Sequence, residues 1–352
     1  MKTEKTYFCY LSGELPSRGL PSYEIKAILK SSNVNLKNIQ IYDQIFIFSS
    51  IENMCELITQ RAAYVHRCGE LIFNISETNF NLIKNELKNI DFPQILKNKI
   101  SYAVRVKKIK TYFPNISVEN IEREIGTIIK DNLKERIKVD LKTPDILFFG
   151  LFSEKNFFFG ISQYELPRNL FRTRAPHTRP FFHPCGLNPY LARAMVNISE
   201  INKSKILYDP FCGSGSILIE AALMGFKIIG SDINYKMIRG TSLNLKALDI
   251  QDFYLLRTDA RNFCIKSPFN IVTDPPYGRS SSTYGKNLTI LLSDFFNNNS
   301  NMIEKNSLSI IALPSTFKIN PLVSKYNFKI QHEFDYYVHR SLTRKIIVMK
   351  KL

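Results

Sequence analysis

The chain has 352 residues, room for two or three domains of ordinary size. Hydrophobic residues make up 44 %, too many for a disordered chain, and a formal net charge of +17 favours an anionic partner even after discounting a general Lys, Asn and Ile bias. Six cysteines without a C-x-x-C pair, no signal peptide and no apolar run of 18 residues argue against a disulfide-stapled, zinc-bound or membrane-spanning protein, and for a cytoplasmic one with free thiols.

Tyr7 to Gly13 reads as a strand, residues 22–31 as a helix, and residues 39–48 as a strand with alternating Ile39, Ile41, Ile45 and Ile47. A helix pattern runs from Ile51 to Ala63 and a strand from Glu70 to Ile75. This is an α+β domain over residues 1–95 with no catalytic constellation; His66 reads as a strand-boundary residue, not a ligand. A second unit, 96–163, opens with the strand Tyr102 to Val106. Arg105, Lys107, Lys108 and Lys110 make its edge basic. A helix from Val118 to Asn132 carries Ile121, Ile125, Ile128 and Ile129 on one face, and strands Ile146 to Phe152 and Asn156 to Ile161 follow.

Residues 164–190 form an Arg/Pro-rich linker. Arg168, Arg172, Arg174, Arg179 and, just beyond it, Arg193 occur without lysine, and prolines at 167, 176, 180, 184 and 189 prevent a regular helix. Arginine suits bidentate phosphate contacts and base stacking.

The remainder, 191–352, is organised around one stretch. A buried strand, Ile206 to Tyr208, runs into Asp209-Pro210 and then Phe211-Cys212-Gly213-Ser214-Gly215, followed by a helix from Ser216 to Met224. Two glycines let the backbone turn sharply and approach a ligand. No Lys-[Ser/Thr] pair follows and the spacing is not G-x-G-x-x-G, so neither standard phosphate loop is present. Three further strand patterns end in acids. Asp232 is placed for ribose hydroxyls, Asp259 for an adenine amino group, and Asp274 opens Asp274-Pro275-Pro276-Tyr277. A polar loop, 278–285, is placed to cover the substrate. A helix from Leu288 to Asn297, a strand from Ser307 to Leu313 and a terminal hairpin, Phe328 to Tyr337 with Arg344 to Lys350, complete the chain.

The motifs Asp209 to Gly215, Ser231 to Asn234 and Asp274 to Tyr277, in this order, resemble S-adenosylmethionine-dependent amino-methyltransferases. The longer run Asp274 to Ser281 is similar to THUMP-containing tRNA guanosine-N2 methyltransferases, nearest the archaeal enzymes acting on guanosine 10, and the similarity continues through Tyr336 to Arg344. The resemblance implies an α/β fold: a C-terminal Rossmann-like class I methyltransferase domain, an N-terminal ferredoxin-like α+β domain, and a THUMP domain gripping the 3′ end of tRNA. It implies S-adenosylmethionine held by His183, Asp209, Phe211, Gly213, Gly215, Asp232, Asp259 and Asp274. It implies tRNA contacts from Arg105, Lys107, Lys108, Lys110, Arg168, Arg172, Arg174 and Arg279. Relatives work with a small zinc-binding activator subunit, so a heterodimer stands beside a monomer; no metal is expected in the chain itself. The product would be N2-methyl- or N2,N2-dimethylguanosine. A DNA adenine-N6 or cytosine-N4 methyltransferase, and a non-catalytic RNA-binding subunit, remain as alternatives.

The resemblance makes Asp274, Pro275, Pro276 and Tyr277 catalytic. The exocyclic amine of guanine is a poor nucleophile because its lone pair is delocalised. Asp274 can accept one N–H and the Pro275 carbonyl the other, which returns density to nitrogen and aims it. The two prolines hold the acceptors rigid, and Tyr277 offers a face for the base.

Overall fold

The structure, a computed structural model, describes residues 3–12, 19–34, 36–76, 79–133, 137–167, 169–262, 268–277 and 288–352. Arg168, Cys264, Arg279 and the expected covering loop 278–285 lie outside them. The described residues form two compact units. One contains those up to Ser12, 34–60 and 65–166; the other contains 19–33, 61–64 and those from 167 onward.

The first unit is built on one eight-stranded sheet. Its strands are β1 (Lys5–Leu11), β2 (Lys37–Tyr42), β3 (Ile45–Ser50), β4 (Val65–Ile75), β5 (Ser101–Lys108), β6 (Lys138–Val139), β7 (Ile146–Ser153) and β8 (Asn156–Glu165), in the order β2-β3-β1-β4-β8-β7-β5-β6. Only β5 pairs in parallel, with β6 and β7. Residues 39–48, expected as one strand, are two. The chain turns at Asp43-Gln44, where Gln44 has a φ of 60°, and so tight a turn leaves no gap in the apolar alternation. The helix Val118–Asn132 starts at Ser117, whose hydroxyl accepts the Asn120 N–H at 3.3 Å. Its buried Ile121, Ile125 and Ile129 recur every four residues, so they share one face and pack on Phe148, Phe152, Phe157 and Phe159 of the sheet.

The second unit carries β9 (Ile206–Asp209), β10 (Lys227–Asp232), β11 (Tyr254–Arg257), β12 (Phe269–Thr273), β13 (Leu308–Pro314), β14 (Phe328–His339) and β15 (Leu342–Lys351), in the order β11-β10-β9-β12-β13-β15-β14. β9 to β13 run in parallel, and the β14–β15 hairpin adds on antiparallel. The central strands read as continuous apolar runs because helices cover parallel sheets. The helix Leu20–Ser31, far away in sequence, belongs to this unit. Its fully buried Glu24 accepts the N–H groups of Ala63 at 2.8 Å and Tyr64 at 3.2 Å, and the Asn197 side-chain amide at 2.7 Å. Among the described residues no helix is long and apolar enough to cross a membrane.

Candidate active site

The strand order of the second sheet reverses between β9 and β12. Their carboxyl ends therefore open a crevice, which is where open α/β sheets bind ligands. Asp209 stands at the end of β9 and is 2 % exposed. It accepts the Thr273 hydroxyl at 2.6 Å and the Phe211 N–H at 3.2 Å. Burial pushes its pKa up to about 7 against those two hydrogen bonds, with a smaller push from the charges of Asp274 and Asp232. Between the ordinary carboxylate value of 3.8 and about 7, the folded protein holds a proton that the unfolded chain has lost. Stability from this group therefore falls as pH rises through that window. Asp209→Asn keeps an oxygen for both bonds and is expected to flatten the fall. Urea midpoints at about pH 4.5 and about pH 7.5 check it, and an undiminished difference between them would refute it.

The loop after Asp209 has two glycines at positive φ, Gly213 at 51° and Gly215 at 84°. They do different work. A Cβ on Gly213 would meet nothing nearer than the Phe211 carbonyl oxygen at 4.0 Å, so this face of the loop is open to a ligand. A Cβ on Gly215 would come within 2.7 Å of Thr241 Cγ2, so this side is closed against the helix Tyr235–Lys246. Thr241 Oγ1 donates to the Gly213 carbonyl at 2.6 Å.

Asp232 ends β10 and is half-buried. It accepts the Gly213 N–H at 3.1 Å and the Asn234 N–H at 2.8 Å, so it steadies the loop from the neighbouring strand. Burial raises its pKa, and nearby His183 opposes the shift. His183 is itself set by Nδ1, which accepts the Cys185 N–H at 3.3 Å. The backbone just before it is pinned by Asn244, whose side chain bonds the Phe181 N–H at 2.9 Å and the Phe181 carbonyl at 3.0 Å. Phe181 lies on Gly240, where a Cβ would come within 2.0 Å of its ring. Gly240→Ala is expected to cost about 1–3 kcal/mol by overpacking. Denaturant unfolding checks this; a cost near zero would mean that Phe181 is free to move aside.

Asp274 follows β12. Its Oδ2 lies 3.2 Å from Nη2 of Arg344, and its Oδ1 accepts the Tyr277 hydroxyl. Nε of Arg344 also reaches the Tyr277 oxygen, at 3.2 Å. Burial raises the Asp274 pKa, while Arg344 and the Tyr277 hydrogen bond hold it back. Burial likewise raises the Tyr277 phenol well above its ordinary value. Pro275 is buried and Pro276 half-buried beside it. Phe211 packs edge-on against Phe295, with ring centroids 5.9 Å apart.

Asp209, Phe211, Gly213, Asp232, His183 and Asp274 thus gather at the carboxyl edge of the sheet. Asp259 stands past the end of β11, its carboxylate held by Nε of Arg261 at 2.9 and 3.0 Å and by the Arg261 N–H at 3.0 Å. An adenine amino group would have to share it with this guanidinium. Arg174 is a correction. Expected at an RNA surface, it is 8 % exposed and bound to the fully buried Glu220, so it serves the core. Arg172 is exposed.

In the first unit, Lys107 is exposed, with Nζ 5.8 Å from the Tyr10 ring centroid. Lys110 pairs with Asp43 at 2.6 Å, and Lys108 donates to the Ile116 carbonyl at 2.7 Å. Arg105 donates to the Leu141 carbonyl at 3.0 Å and lies 3.8 Å from Glu122. The residues missed from sequence are Arg344, Thr273 and Glu220. Arg344 closes a stretch already similar to the family, and that was the one available signal.

A family model described as "RMKL-like, methyltransferase domain" matches residues 176–346, and one described as "THUMP domain" matches residues 77–159. The chain is 32 % identical to the tRNA (guanine(10)-N2)-dimethyltransferase of Methanothermobacter thermautotrophicus, over 97 % of this chain and 98 % of that one. It is 33 % identical to the protein of the same name from Methanocaldococcus jannaschii, over 95 % and 97 % of the two chains. The crystal structure of TrmN from Thermus thermophilus shares the fold, with a TM-score of 0.58 at 17 % identity, covering 99 % of this chain and all of the other. With such identity to two relatives over nearly their whole lengths, the chain belongs to the tRNA (guanine(10)-N2)-dimethyltransferase family.

Proposed function

We propose that this protein methylates the exocyclic N2 of guanosine in tRNA, at guanosine 10, with S-adenosylmethionine as donor. The observation that carries the reading is Asp274, fixed by Arg344 and Tyr277 at the sheet's reversal point, one strand from the open face of the glycine loop. The donor set fits the cofactor: an open loop at Gly213 and a half-buried acid, Asp232, on the adjacent strand with His183 near it. S-adenosylmethionine supplies an electrophilic methyl, whose C–S bond pair stays on sulfur as the guanine nitrogen forms the N–C bond. Asp274 takes an N–H of the amine and orients the lone pair, and the proton shed by nitrogen leaves to water. Tyr277 supports the base. One or two rounds of the same geometry give the mono- or dimethylated product.

Guanosine 10 lies in a paired stem, so the base must leave its stack at a cost of a few kcal/mol. Phosphate contacts from the THUMP-containing unit and from the Arg/Pro-rich segment offset that cost, with exposed Lys107 of the first and exposed Arg172 of the second the first candidates. A small zinc-binding subunit fits this reading as a partner. Edge strand β11, with Tyr254 67 % exposed, and Leu243 of the neighbouring helix, 53 % exposed, support it as a docking edge. The DNA and scaffold readings are not favoured, because relatives that match nearly the whole chain are named tRNA (guanine(10)-N2)-dimethyltransferases.

The test is methyl transfer from labelled S-adenosylmethionine to unmodified tRNAs, with adenosine at position 10 and DNA duplexes as controls. Labelled N2-methylguanosine that disappears with the position-10 change supports the reading. Label in DNA, or at another tRNA position, would overturn it.

A further inference from the structure

We propose that Arg344 is a positioning residue for methyl transfer, locking Asp274 and Tyr277 into one unit so that Asp274 meets the target amine already charged and oriented. The inference rests on the reading above and adds to it the group that sets the state of its acceptor. Arg344 lies on β15, opposite Pro314 of β13 and Tyr336 of β14. Its Nη2 stands 3.2 Å from Asp274 Oδ2 and its Nε 3.2 Å from the Tyr277 oxygen. The guanidinium carbon is 5.7 Å from the Tyr277 ring centroid, within cation–π range. The side chains of Arg344 and Asp274 are only 12 % and 13 % exposed, so water screens the pair weakly.

One planar fork thus serves two partners, which a lysine point charge cannot reproduce. Each carboxylate oxygen still has a lone pair for an amine N–H. The groups that act on the pair are Asp209 from β9, with Asp232 behind it, Tyr277 from its own loop and Tyr336 across from Arg344. Burial favours the neutral acid at Asp274. Arg344 is the cation that opposes it. A neutral carboxyl would offer the amine a proton where it needs an acceptor.

The experiment is the pH–rate profile of tRNA methylation at saturating substrates for the wild type, Arg344→Gln and Arg344→Lys. The Gln variant is expected to lose about tenfold in kcat near neutrality, with its acidic limb moved up by about one unit and activity recovering as pH rises. The Lys variant keeps the charge, so its limb stays in place while kcat falls. KM for tRNA is expected to hold in both. A Gln variant slowed equally at every pH would make Arg344 merely structural and overturn the inference. A double-mutant cycle in stability, Arg344→Gln with Asp274→Asn, reads the pair without any turnover. Additive effects overturn the inference; coupling supports it. A wild type that never methylates guanosine N2 overturns the methyltransferase reading and takes the inference with it. Wild-type turnover with an unmoved limb in the Gln variant overturns the inference alone.

Discussion

Asp274→Ala is expected to lower kcat for tRNA methylation by about 10²–10³ while leaving tRNA affinity within about threefold. The asymmetry follows from where the residue acts. In the proposed reading Asp274 accepts an N–H of the amine and the phosphate contacts lie on other residues, so the loss is expected to fall on orientation of the nucleophile rather than on binding. Removing the carboxylate also strands Arg344, only 12 % exposed, without its acid. Some of the effect could then be structural, and Asp274→Asn separates the two. The amide keeps one acceptor oxygen and similar volume, so it is expected to fold well and still turn over slowly. Single-turnover methylation, with cofactor and tRNA binding measured on the same samples, checks both variants. Near-normal turnover of the alanine variant would remove Asp274 from the mechanism.

The parts of this site that were readable in the sequence are the local ones. A strand, its terminal acid and the loop that follows are contiguous, so Ile206 to Gly215 and Phe269 to Tyr277 show their geometry in a few residues. The terminal hairpin was readable too, by alternation and length. What it does at the site was not. Arg344 meets Asp274 through the register that sets it against Pro314, and register across three strands has no local mark. The same holds for Thr273, which faces Asp209 because β12 lies beside β9. The helix Leu20–Ser31 shows an apolar face but not what it covers. Its allegiance to the C-terminal unit rests on Glu24 reaching Ala63 and Asn197. Arg174 illustrates the opposite error. A segment rich in arginine and poor in acid looks like an RNA surface, yet its acid was waiting 46 residues on, at Glu220.

That acid carries the largest expected effect on stability. Glu220→Ala is expected to cost about 3–5 kcal/mol, because it leaves buried guanidinium charge uncompensated. Glu220 is fully buried in the helix Ser216–Leu223, directly behind the glycine loop. Its oxygens take Nε of Arg174 at 2.8 Å, Nη2 of Arg174 at 3.2 Å and Nε of Arg193 at 2.7 Å. The Phe171 ring centroid lies 4.8 Å from the Arg174 guanidinium carbon and 5.5 Å from that of Arg193, so both cations sit against an aromatic face as well. A third guanidinium, Arg179, donates to the Ser216 hydroxyl at 2.8 Å and to the Arg174 carbonyl at 3.0 Å. Burial lowers its pKa to about 10, with Glu220 working against that shift. One carboxylate therefore ties the Arg/Pro-rich segment to the helix that carries the glycine loop. Glu220→Gln keeps the volume and an acceptor oxygen but not the charge, so it is expected to fall between the wild type and Ala. Urea unfolding of the three proteins orders them, and cofactor affinity is expected to fall with stability because the loop and its fastening share a helix. An alanine variant within about 1 kcal/mol of the wild type would mean that the two arginines reach water once released, and that the segment is held by packing alone.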